Sequence, residues 1–80
     1  MVEFRYFAAV ADAVGKDTET LDLPPGATIA DLRSRLTETY GPGLDKMLAV
    51  CAYLMGDELT RDSTATLTPR VDVMPPFAGG

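Results

Sequence analysis

Eighty residues leave room for one domain and one hydrophobic core, and a chain that is 46% hydrophobic and 24% charged has the balance of a globular protein, not a disordered one. The net charge of −5 disfavours nucleic-acid binding, because the lysines and arginines form no stripe to neutralise phosphates and only Arg33 and Arg35 sit close together. The single cysteine, Cys51, excludes an intrachain disulfide and points to a reducing compartment.

The N-terminal VEFRYF alternates, with Val2, Phe4 and Tyr6 on one face and Glu3, Arg5 and Phe7 on the other, as a strand requires. Residues 8–14 are alanine-rich and predict a short helical turn closed by Gly15. A second strand is expected over 19–23, with Leu21 and Leu23 on one face, and Pro24-Pro25-Gly26 ends it. The strongest local signal predicts a helix over Thr28–Tyr40. Thr28 is a good N-cap, Asp31 completes a capping box, and Ile29, Leu32, Leu36 and Tyr40 make one apolar stripe. Gly41 and Pro42 stop it.

Met47–Met55 is apolar on both faces and predicts one strand buried from two sides. Gly56-Asp57 marks a turn, Leu59 begins a connecting segment, and residues 62–68 form a Ser/Thr-rich loop. The last strand is expected over 70–74, with Val71 and Val73 inward and Arg70, Asp72 and Met74 outward. One helix across one face of a mixed sheet covers these stripes economically, so the fold class is α+β.

The chain closes with Pro75-Pro76-Phe77-Ala78-Gly79-Gly80. The prolines stiffen the base of this tail and end the sheet. Two glycines without Cβ atoms enter a channel too narrow for any other residue, and six extended residues reach about 20 Å. The feature this chain is suited to present is therefore the Gly80 carboxylate. A bare carboxylate is a poor electrophile, so a partner must activate it, for example as an acyl-adenylate.

These segments together resemble the small, sulfur-carrier subunit of molybdopterin synthase, in the MoaD/ThiS group of ubiquitin-like β-grasp proteins. The resemblance rests on Tyr6-Phe7-Ala8 followed by Gly15, on Pro25-Gly26-Ala27-Thr28 with Leu32, and above all on the PPFAGG ending. It implies a single β-grasp domain over residues 1–80 with an exposed tail over 75–80. It further implies that an ATP-dependent activating enzyme adenylates Gly80, that sulfur transfer makes a C-terminal thiocarboxylate, and that the tail enters the large subunit of molybdopterin synthase. There the sulfur passes to precursor Z. The chain would then hold no cofactor of its own, ATP being used by the activating partner, and would work in a hetero-oligomer rather than as an autonomous enzyme. Two turns depart from the family pattern, Met55-Gly56-Asp57 and Thr68-Pro69-Arg70, and both lie away from the tail.

If the first and last strands are neighbours, as the resemblance implies, Phe7 and Met74 form an apolar patch beside the root of the tail, with Leu59 and Phe77 near them. Such a patch suits a partner interface. Cys51 lies inside the apolar run with no histidine anywhere to activate it, so a core role is expected. One cysteine without histidine makes no structural zinc site. No apolar stretch is long enough to span a bilayer and no leader pattern opens the chain, so a cytoplasmic protein without a membrane partner is expected. Three other readings share the tail: a carrier for thiamine, cysteine or another sulfur pathway, a ubiquitin-like modifier that forms isopeptide bonds, and a plain binding module.

Overall fold

A computed structural model describes residues 1–76; the expected tail residues Phe77, Ala78, Gly79 and Gly80 lie outside the described residues. Strand β1 (Val2–Tyr6) keeps the alternation of its sequence, with Phe4 and Tyr6 buried and Glu3 and Arg5 exposed. Helix α1 (Ala9–Val14) ends at Gly15, whose φ of 85° is open to a residue without a Cβ. Strand β2 (Thr18–Leu21) returns antiparallel to β1, pairing Val2 with Leu21 and Arg5 with Thr18.

Helix α2 (Ile29–Tyr40) fills the span expected for it, and its start explains why. The Asp31 N–H donates to Thr28 Oγ1 at 3.3 Å while the Thr28 N–H donates to the Asp31 carboxylate at 2.8 Å, a complete capping box. The next two free donors find partners in the Ser/Thr-rich loop: Ile29 N–H donates to the Ala65 carbonyl and Ala30 N–H to that of Ser63. The loop itself is pinned by Asp62, whose carboxylate accepts from the backbone and hydroxyl of Thr64 and is thereby held below the usual carboxylate range. A segment that reads as mere linker thus satisfies the helix N-terminus.

The apolar run Met47–Met55 does not form one strand. Its first part ends helix α3 (Gly43–Ala49), and only Ala52–Met55 is strand β3. Leu44 and Leu48, one turn apart, are both buried beneath α3, which begins directly after Pro42. The helix closes through Val50 N–H to the Met47 carbonyl and Cys51 N–H to that of Leu48, and the buried Tyr53 hydroxyl also donates to Leu48 at 2.8 Å. The run is apolar because two elements bury parts of it, not because one strand is covered twice.

A two-residue turn at Gly56-Asp57 leads into β4 (Glu58–Thr60), so Leu59 belongs to a paired strand opposite Leu54 rather than to a connection. Strand β5 (Arg70–Met74) takes the centre of the sheet, parallel to β1 and antiparallel to β3, in the order β2-β1-β5-β3-β4. Phe4, Tyr6, Val71, Val73, Tyr53 and Met55 face the helices, where Ile29, Leu32, Leu36, Leu44 and Leu48 close the core. Among the described residues no helix is long and apolar enough to cross a membrane.

At the rim of this core the half-buried Glu19 carboxylate accepts from the Tyr6 hydroxyl at 2.8 Å, the Tyr40 hydroxyl at 3.1 Å and the Lys16 ammonium at 3.3 Å. It ties the end of α2 to the edge of the sheet. Burial, reinforced by this carboxylate, pushes the Tyr6 phenol far up.

Thr28→Ala removes an acceptor that the neighbouring loop does not replace. Its expected cost is about 1 kcal/mol, read as a fall of roughly 4–8 °C in Tm. An unchanged midpoint would mean that the loop carbonyls alone hold the helix end.

Candidate functional site

The candidate site is the end of the sheet from which the C-terminal segment leaves. The parallel register runs Glu3↔Arg70, Phe4↔Val71, Arg5↔Asp72 and Tyr6↔Val73, so Phe7 and Met74 follow immediately on the last paired residues at the same end. The Phe7 N–H still donates to the Val73 carbonyl at 3.2 Å, and the Arg5 guanidinium lies 5.4 Å from the centre of the Phe7 ring. Phe7 is 37% exposed, a large apolar side chain fixed in place yet open to solvent. Met74, opposite Ala52, is half-buried rather than exposed.

Pro75 departs from the expected exposed tail: it is buried, while Pro76 is exposed. The reason is the period of β5. Val71, Val73 and Pro75 fall on the same inward face, and the proline ring simply continues that series.

Leu59 shares the outer sheet face with Phe7 and Met74 but not their position. It stands on β4 in the row that runs through Arg5, Asp72 and Leu54. In that row Arg5 donates to both Asp72 oxygens, at 3.0 and 3.1 Å, and in the row behind it Arg70 pairs with Glu3 at 3.2 Å. The outer face is therefore apolar at the tail end and at β4, with closed ion pairs between. A groove of about 430 Å³ lies over these pairs, lined by Glu3, Arg5, Leu54, Gly56, Arg70 and Asp72. Exposed pairs of this kind add little stability.

Two residues at this end escaped the sequence reading. Val50, 50% exposed, precedes by two the residue that pairs with Met74. Its exposure was hidden by the assignment of the whole apolar run to a buried strand. Ala8 adopts φ 50°, ψ −125°, and among the described residues it is the one non-glycine with positive φ. Such a conformation costs about 1–3 kcal/mol, and no property of the sequence announces it.

Cys51 is buried, its thiol donates to the Met47 carbonyl, and burial pushes it up to about 11. No cluster of three or more potential metal-ligating side chains occurs among the described residues.

No protein-family model matches the chain. It is 26% identical to the molybdopterin synthase sulfur carrier subunit of Chlamydomonas reinhardtii, over 99% of this chain and 98% of that protein. Its structure is similar to a chain in the protein–protein complex of subunits 1 and 2 of the molybdopterin-converting factor from Helicobacter pylori 26695, with a TM-score of 0.63, 26% identity and coverage of 99% and 97%. It is also similar to small archaeal modifier protein 1 of Haloferax volcanii, with a TM-score of 0.75, 20% identity and coverage of 95% and 97%. The resemblance read from the tail and the helix lead-in holds: the fold is a ubiquitin-like β-grasp, and the chain is similar throughout its length to a molybdopterin synthase sulfur carrier.

The burial of Cys51 makes a double prediction. In the folded protein the thiol resists alkylation at pH 8 and reacts only after denaturant is added; fast labelling of the native state would place it outside the core. Because the folded thiol titrates at about 11 and the unfolded one near its ordinary 9.0, stability contributed by the buried thiol is complete below pH 9 and lost as the pH rises toward 11. The raised Tyr6 and Tyr53 phenols extend the loss further into alkali, their share being complete below pH 10 and falling above it.

Proposed function

We propose that this protein is a sulfur carrier that serves as the small subunit of molybdopterin synthase. The observation that carries this reading is the likeness to the Chlamydomonas sulfur carrier, which extends over nearly the whole of both chains. The PPFAGG ending supplies the chemistry. An ATP-dependent activating enzyme joins AMP to the Gly80 carboxylate with release of pyrophosphate. Sulfide delivered by a sulfur donor attacks the acyl carbon of that anhydride and displaces AMP, leaving a thiocarboxylate. The large subunit takes in the tail, the sulfur passes to precursor Z, and water restores the carboxylate.

In this cycle Gly80 carries a group that is consumed and regenerated, while the side chains that catalyse belong to the partners. Gly79 and Ala78 keep the tail slim, Phe77 and Pro76 seat it, and Pro75 roots it in the domain. Phe7 and Met74 form the docking surface around its exit, with Leu59 at a second point of the same face. ATP binds only to the activating enzyme. The acidic excess favours approach to basic partner surfaces. Working with these partners, the protein resides in the cytoplasm.

A second reading is favoured by one specific observation, the structural likeness to an archaeal modifier protein. The same activated Gly80 that accepts sulfur would also react with a lysine amine to give an isopeptide bond. The two outcomes share the activation step and differ in the nucleophile that follows.

Adding one residue after Gly80 moves the carboxylate out of reach of both partners' chemistry. The extended chain is expected to unfold at the same temperature as the parent and to support no sulfur transfer to precursor Z in a reconstituted assay with the large subunit. Full activity of the extended chain would contradict the mechanism.

A further inference from the structure

Ala8 presents a mismatch between residue and conformation. The Val10 N–H donates to the Phe7 carbonyl at 3.1 Å, and Ala8 occupies the second position of the turn so formed, with φ 50° and ψ −125°. That is the geometry of a type II′ turn, whose second position favours glycine. The Ala8 side chain is exposed and belongs to no cluster in the core, so within the domain its methyl group offsets none of the strain it creates. For the fold alone, glycine would serve better.

The turn's location gives the methyl group a use. Ala8 directly follows Phe7, at the end of the sheet where Pro75 is buried and Pro76 emerges. Phe7 and Val50 are both exposed there, each directly following the end of a regular element, so Pro76 stands at an end of the domain that carries exposed apolar groups. Resting on the sulfur-carrier reading, we infer that Ala8 is a contact residue of the docking surface, its methyl group buried against the large subunit of molybdopterin synthase when the tail is inserted. The positive-φ backbone leaves the Ala8 side chain exposed, next in sequence to Phe7, where a partner can cover it.

Two full-length variants test this, each measured for thermal unfolding and for affinity to the large subunit by calorimetry. Ala8→Gly is expected to raise Tm by roughly 4 °C, since glycine accepts the turn without strain. It should weaken binding roughly three- to fourfold, the worth of one buried methyl group. Ala8→Glu is expected to leave Tm close to that of the parent and to weaken binding at least tenfold, because a charged side chain then has to be buried. A Gly variant that binds like the parent, or one that melts lower than the parent, overturns the inference, whatever the Glu variant does. Phe7→Ala separates the levels: if it weakens binding while both Ala8 variants do not, the docking surface stands without Ala8. Failure of the parent chain to bind the large subunit overturns both this inference and the reading beneath it.

Discussion

Parallel pairing of β1 with β5 joins the first and last strands at the centre of the sheet, in the register that sets Phe4 beside Val71 and Tyr6 beside Val73. Parallel neighbours cannot be joined by a tight turn, so the residues between them act as one long crossover that carries β2, the helices and the β3–β4 hairpin. The inward residues of the two strands make the floor on which α2 and α3 lie. The same register decides where β5 ends: level with the end of β1, near Phe7, with Pro75 buried and Pro76 exposed. The core and the position of the end of β5 are thus two consequences of one pairing.

That arrangement suits a protein whose chemistry is carried out elsewhere. The nucleophile that the described residues do contain, Cys51, is buried and held protonated. The Glu19 carboxylate is engaged by two phenols and a lysine, and Asp72 and Glu3 are engaged by arginines. These groups serve the domain rather than a substrate. A small domain with its polar groups occupied in this way is a stable base for a chain end, as the proposed carrier role requires.

The sequence made α2, β1 and β5 readable because each carries one clean period. The capping box of Thr28 and Asp31 and the alternation of Val71 and Val73 needed no tertiary information. Met47–Met55 misled because an apolar run without period is equally the end of a buried helix and the start of a strand. The deciding signal lay upstream, in Leu44 and Leu48 one turn apart after Pro42. Leu59 was legible as exposed and apolar, but its place on β4 depended on the two-residue turn at Gly56-Asp57. Within the candidate site, Phe7 and Met74 followed from alternation once the two strands were taken as neighbours. Val50 was lost with the misread run, and the Ala8 turn was illegible because backbone dihedrals of a single alanine leave no compositional trace.

The central claim is that the C-terminal glycine is turned into a sulfur-bearing acyl group. Intact-mass spectrometry of the protein isolated from its native cells, with fragmentation to locate any change, addresses it most directly. The account predicts a population heavier by the exchange of one oxygen for sulfur, with the difference confined to Gly80. A single unmodified mass under conditions where molybdopterin is being made, or a change located anywhere but that residue, would contradict it.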